Sequence, residues 1–123
     1  MNEDRSVEVE RLVKRIIDLI QNKKGEDIVI LDIRKVTSIA DYFILATGST
    51  GTQVKAIADE ITTKTKNEDG ISVWHVEGYE ALSWVLLDYV DVVVHLFDPE
   101  TRNYYAIDKL WKDAEMRRVE TNY

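Results

Sequence analysis

Val9, Leu12, Val13, Ile16, Ile17 and Ile20 recur at three- and four-residue steps, the spacing that gathers apolar side chains into one stripe of an amphipathic helix. Ser6 is placed to cap its start, Lys23 and Lys24 give it a basic end, and Gly25 stops it, which leaves Met1–Arg5 as a frayed opening. The pattern then changes. Ile28-Val29-Ile30-Leu31, set between Asp27 and Asp32, is continuous, short and β-branched, as a buried strand requires. After a loop through Thr37 and Ser38, Tyr42–Ala46 is a second such run, closed by Thr47-Gly48-Ser49. Helical spacing returns at Val54, Ile57, Ala58, Ile61 and Thr65, with Ser49 or Thr50 as cap and Asn67–Gly70 as exit. A third strand over Ile71–Val76 runs into a turn at Glu77-Gly78, and Trp84–Leu87 with Val92–Phe97 form a hairpin around Asp88-Tyr89-Val90-Asp91. Asp98-Pro99 joins an N-cap to a proline at the first helical position, opening a short helix that carries Tyr104 and Tyr105. Ile107, Leu110 and Trp111 make another turn, and the polar stretch from Lys112 to Tyr123 is expected to be loosely held.

That order predicts a single α/β domain, a mixed five-stranded sheet flanked by helices, spanning residues 7–114 between a frayed segment 1–6 and a polar tail 115–123. The strand-to-helix step at Gly48 calls for a crossover to a parallel neighbour.

Length leaves no room for a second domain in 123 residues. The lack of cysteine removes disulfide scaffolds, thiolate nucleophiles and cysteine-held metals, and points to an intracellular, cytoplasmic protein. No apolar run reaches the roughly 18 residues of a membrane span, and the acidic opening is unlike a secretory leader. A net charge of −7 disfavours direct nucleic-acid binding, whose affinity comes from neutralising phosphates with Lys and Arg, and favours a basic protein as partner.

Candidate chemistry is sparse. His75 and His95 both fall within predicted strands and neither joins a set spaced to hold a metal, so no metal or cofactor is expected. Gly48-Ser49-Thr50-Gly51 before a helix could cradle an anion, yet it lacks the lysine of a phosphate loop. A nucleotidyl-transfer site would need acids alternating along a strand, whereas Asp59 and Glu60 are adjacent in a helix and point apart. Asp88 and Asp91 flank the hairpin turn, where aspartates commonly bond their own backbone. Trp84, Tyr89 and Tyr79 lie on or beside that hairpin among Glu77, Glu80, Asp88 and Asp91. Such a patch is either a half-buried sheet face or a docking site for a basic partner.

Ala40–Gly48, Gln53–Asp59, Glu77-Gly78, Trp84–Tyr89 with Asp91–His95, and Tyr105 through Leu110-Trp111 together resemble, in order and spacing over about residues 7–114, the ribosomal silencing factor family, also called the RsfS, YbeB or iojap family. The resemblance implies a nucleotidyltransferase-like topology without catalytic acids, and no enzymatic activity. It implies binding to the large ribosomal subunit through the basic ribosomal protein L-fourteen, with small-subunit joining blocked and translation repressed under nutrient limitation. Late large-subunit assembly and a homodimer are further expectations. The family's partner-binding residues fall on Trp84 and Tyr89, and proximity extends the site to Glu77, Asp88 and Asp91. Thr52 stands where the family commonly has arginine, and Leu82 where it has a small residue. Two other readings stay open: a nucleotide-binding enzyme using the Gly48-Ser49 turn, and a plain homodimerisation module.

Overall fold

The computed structural model describes residues 2–123, with side chains from Arg5 onward. Helix α1 (Asn2–Asn22) turns Val9, Val13, Ile16, Ile17 and Ile20 inward, as the periodicity predicts. Of the frayed opening expected at Met1–Arg5, Met1 lies outside the described residues. The rest belongs to α1, so Ser6 sits inside the helix rather than at its cap. At the other end Lys24, not Gly25, takes the left-handed conformation (φ 61°), and the Gly25 N–H closes the helix on the Ile20 carbonyl at 3.0 Å. Gly25 is needed for space: a Cβ there would lie 2.4 Å from Ile20 Cγ2.

The strands are β1 (Glu26–Asp32), β2 (Tyr42–Thr47), β3 (His75–Glu77), β4 (Trp84–Asp88), β5 (Val92–Phe97) and β6 (Glu115–Arg118). They form one mixed sheet of six in the order β3-β4-β5-β2-β1-β6, with β2 and β5 parallel and the other pairs antiparallel. The sixth strand corrects the expected count of five. Residues 115–118 pair with β1 from Asp32 back to Val29, and the Val119 N–H continues the ladder to the Ile28 carbonyl. The first part of the polar tail, Glu115–Arg118, is therefore an edge strand. Its side chains are all exposed, so it carries no apolar alternation for a sequence pattern to detect. The third strand is also shorter than Ile71–Val76: the ladder with β4 spans His75–Glu77, preceded by one bond from the Trp74 N–H to the Asp88 carbonyl.

Helix α2 (Gly51–Asp69) follows β2, capped by Thr50, whose hydroxyl accepts the Gln53 N–H at 3.2 Å, and stopped by left-handed Gly70. The chain turns sharply into it, and a Cβ on Gly48 would meet the Val54 nitrogen at 2.8 Å. Helices α1 and α2 cover one face of the sheet, burying Ile28, Ile30, Ile44, Val85, Leu87 and Val94 against Ile16, Ile20, Ile57 and Ile61. Each such side chain contributes roughly 1.5–3 kcal/mol by leaving water. The other face carries Val29, Leu31, Phe43, Leu45 and Phe97 and is covered only in part, by α3 (Pro99–Tyr105) and α4 (Ile107–Leu110). Asp98 caps α3 as the sequence predicts, accepting the Thr101 N–H at 2.8 Å.

The hairpin between β4 and β5 turns in a tight γ-turn in which the Asp91 N–H bonds the Tyr89 carbonyl at 3.0 Å around Val90, at φ 76°. A β-branched residue is strained there, by about 1–3 kcal/mol. Glycine would shed that strain while giving back roughly 0.5–1 kcal/mol of unfolded-state entropy. Val90→Gly is thus expected to raise the urea midpoint, corresponding to about 1 kcal/mol of added stability.

Candidate functional site

Cross-strand register sorts the predicted site residues by face. Trp84 opposes Phe97, Leu86 opposes both Glu77 and His95, and Asp88 opposes both His75 and Val93, which places all of them on the half-covered face. Tyr89 lies on the other side. It is 7% exposed within the helix-covered core, and its phenol meets Thr65 Oγ1 at 2.8 Å. Since the Thr65 hydroxyl donates to the Ile61 carbonyl at 2.7 Å, the Tyr89 O–H is the donor of that bond. Burial pushes the Tyr89 phenol above its ordinary value. The structure therefore does not bring Trp84 and Tyr89 into one patch.

Trp84 itself is partly buried rather than fully displayed. Its ring packs 5.0 Å from that of Phe97 and 4.9 Å from that of Tyr105, and Tyr105 in turn meets Tyr104 edge-on at 5.0 Å. Tyr104 is 79% exposed and Tyr105 48%, on a seven-residue helix that buries none of its residues. The aromatic surface thus runs from Trp84 onto α3, through two tyrosines that the sequence places on a short helix without assigning to the site. A Tyr-Tyr pair on a helix too short to build an apolar stripe is the signal that could have marked them. Trp74, 71% exposed just before β3, is a third aromatic outside the predicted set.

The Trp84 indole N–H is already used, donated to His95 Nδ1 at 3.2 Å. That bond fixes His95 as the neutral tautomer with its proton on Nε2, an atom that has no partner in the structure. Burial lowers the imidazole from 6.5 to about 4. Folding therefore disfavours the imidazolium, and the unfolded chain takes up the proton first. Stability from this group is complete above about pH 6.5 and is lost as pH falls from there toward 4, by about 3 kcal/mol in all. Urea midpoints measured at pH 7 and pH 4.5 should show that slope in the native protein and lose it in His95→Asn. Asp32, Asp59 and Asp108, all held below their ordinary value, would contribute only at lower pH.

The acids divide into used and available. Asp88 Oδ1 accepts the Val90 N–H at 2.7 Å, so this carboxylate supports its own turn while facing the open side. Asp91 is paired with Arg5 from α1, which also lies 3.6 Å from Asp41, and its backbone carbonyl accepts the N–H groups of Asp41 and Tyr42. Glu77 is exposed on the β3 edge, 3.5 Å from His75. Leu82, two residues before Trp84, adopts φ 61° and packs onto the core beside Gly51, while Thr52 is exposed. In the glycine-serine turn, the backbone N–H and hydroxyl of Ser49 both donate to Gln53 Oε1, at 2.6 and 2.7 Å, and Gln53 Nε2 donates to the carbonyls of Lys23 and Lys24. Its donors bind the protein's own side chain. Asp59 is likewise engaged, by Lys55 Nζ at 2.8 Å and the Tyr79 hydroxyl at 2.5 Å.

Residues 6–122 match the model of a family described as ribosomal silencing factor during starvation. The chain belongs to the ribosomal silencing factor family. It is 40% identical to ribosomal silencing factor RsfS of Halalkalibacterium halodurans, over 90% of this chain and 94% of that one. A crystal structure from Chromobacterium violaceum superposes with a TM-score of 0.81 at 42% identity, covering 84% of this chain and 85% of its own. A mouse protein named for mitochondrial assembly of the ribosomal large subunit is 27% identical over 80% of this chain, which spans 44% of that protein's length. As a member of the ribosomal silencing factor family, the chain carries the family's α/β domain with a six-stranded mixed sheet. Among the described residues no helix is long and apolar enough to cross a membrane.

Proposed function

We propose that this silencing factor binds the large ribosomal subunit and prevents the small subunit from joining it, repressing translation without making or breaking a bond. Membership of the ribosomal silencing factor family is the single observation that carries this reading. The docking face is the half-covered side of the sheet. There Trp84 is the anchor, Tyr105 and Tyr104 extend its apolar surface, and Glu77 and Asp88, farther along the same face of β3 and β4, supply negative charge for a positively charged partner such as ribosomal protein L-fourteen. Aromatic residues dominate the energetics of such contacts, and complementary charge speeds their formation. Asp91 belongs to the support of this face, since Arg5 neutralises it, and Tyr89 to its foundation. Nothing in the docking needs a cofactor, and the site of action is cytoplasmic.

Purified subunits sedimented with the protein provide the test. The protein should travel with the large subunit and not with the small one. Recovery at the top of the gradient in the presence of the large subunit would remove the proposal.

A further inference from the structure

On the same half-covered face as Trp84, but toward the β1–β6 edge of the sheet, lies a cavity of about 690 Å³, at the carboxyl end of the parallel pair β2 and β5. From Thr47, the last residue of β2, the chain passes to α2 on one face. From Phe97, the last residue of β5, it passes to α3 on the opposite face. Two neighbouring parallel strands whose connections leave to opposite sides open a crevice at their carboxyl ends, and this is where open α/β sheets hold their ligands. Thr47 and Pro99 both line the cavity, so it occupies that crevice.

Its chemistry runs against that of the chain. In a protein of net charge −7, four cations (Arg102, Lys109, Lys112 and Arg118) line it against two carboxylates, Asp27 and Asp108, a surplus of two positive charges. Arg102 is committed to the fold. It donates to Thr47 Oγ1 at 2.9 Å, to the Asp27 carbonyl at 2.8 Å and to both oxygens of Asp108. Lys109, Lys112 and Arg118 have no carboxylate within ion-pair distance among the described residues, and Trp111 supplies an aromatic wall beside them. Volume and lining, apolar with a few converging charges, are those of a small-molecule site.

We propose that this cavity binds a phosphate ester of nucleotide size, its phosphate met by Lys112 and Arg118 and its base by Trp111. The site is independent of the ribosome reading and separate from the Gly48-Ser49 turn. The phosphate could belong to a free nucleotide or to an RNA strand.

Indole N–H signals of the full-length protein, followed by nuclear magnetic resonance, separate the two sources. Adenosine monophosphate and a short single-stranded RNA without terminal phosphates are titrated in parallel, with adenosine and inorganic phosphate as controls. Saturable shifts of Trp111 with the monophosphate identify a free nucleotide, and shifts with the RNA alone identify a strand. The double variant Lys112→Glu/Arg118→Glu changes only exposed side chains and should weaken either interaction at least about ten-fold, since each lost charge-assisted hydrogen bond is worth about that factor or more. Absence of saturable shifts with both probes would overturn the proposal. So would binding that the double variant leaves intact, or adenosine binding as well as its monophosphate.

Discussion

Gly78→Ala should cost about 3 kcal/mol or more and abolish docking together with stability. Gly78 sits at φ 78° between β3 and the segment leading into β4, and an added Cβ would fall 2.0 Å from the Trp84 carbonyl oxygen. That neighbour is backbone and cannot rotate away. The positive φ alone is worth about 1–3 kcal/mol against a side chain, and relieving the collision requires the backbone of β4 to shift. Since β4 presents Trp84 and pairs with both β3 and β5, the shift is transmitted directly to the docking face. A urea midpoint close to that of the native protein would contradict this account of the turn.

The second large effect is on binding alone. Trp84→Ala should lower affinity for the large subunit by about 30-fold or more, the loss of a central aromatic anchor worth roughly 2 kcal/mol. The side chain also packs on Phe97 and Tyr105, so some stability will go with it. Tyr89→Phe is the matched control. It removes one buried hydrogen bond to Thr65, which costs about 1 kcal/mol of stability, and leaves the open face untouched. If both variants lose stability but only Trp84→Ala loses the subunit, docking belongs to the face that Trp84 occupies.

That contrast was partly readable in the chain. Positions 84 and 89 differ by an odd number, and strand alternation turns such residues to opposite faces. A docking site that joins Trp84 and Tyr89, as the family resemblance implies and their shared hairpin suggests, disregards that parity. Helices α1 and α2, the two buried runs around Ile28 and Phe43, the β4–β5 hairpin and the Asp98-Pro99 cap were all legible, because each is written in local periodicity or turn chemistry. Two features were not. Strand β6 owes its existence to ladder bonds with Leu31 and Val29 more than 80 residues away, and Glu-Met-Arg-Arg carries no apolar pattern of its own. The pairing of Arg5 with Asp91 is equally non-local, and it turns an acid that looked available into a strut between α1 and the hairpin.

The glycine-serine turn makes the complementary point. Its sequence permits an anion cradle, but Gln53, three residues past the cap, fills that role from within by accepting from Ser49 and tying the turn to the end of α1. The surplus of positive charge lies elsewhere, beside Trp111, in side chains spread between α3 and β6 that only the folded sheet brings together.

Subunit joining, followed by light scattering as purified small and large subunits are mixed, tests the central claim most directly. With the native protein bound beforehand to the large subunit, joined particles should fall in proportion to the amount added, and Trp84→Ala at the same concentration should restore them. Joining that proceeds unchanged in the presence of saturating native protein would contradict the steric account, and equal inhibition by Trp84→Ala would contradict the face assigned to it.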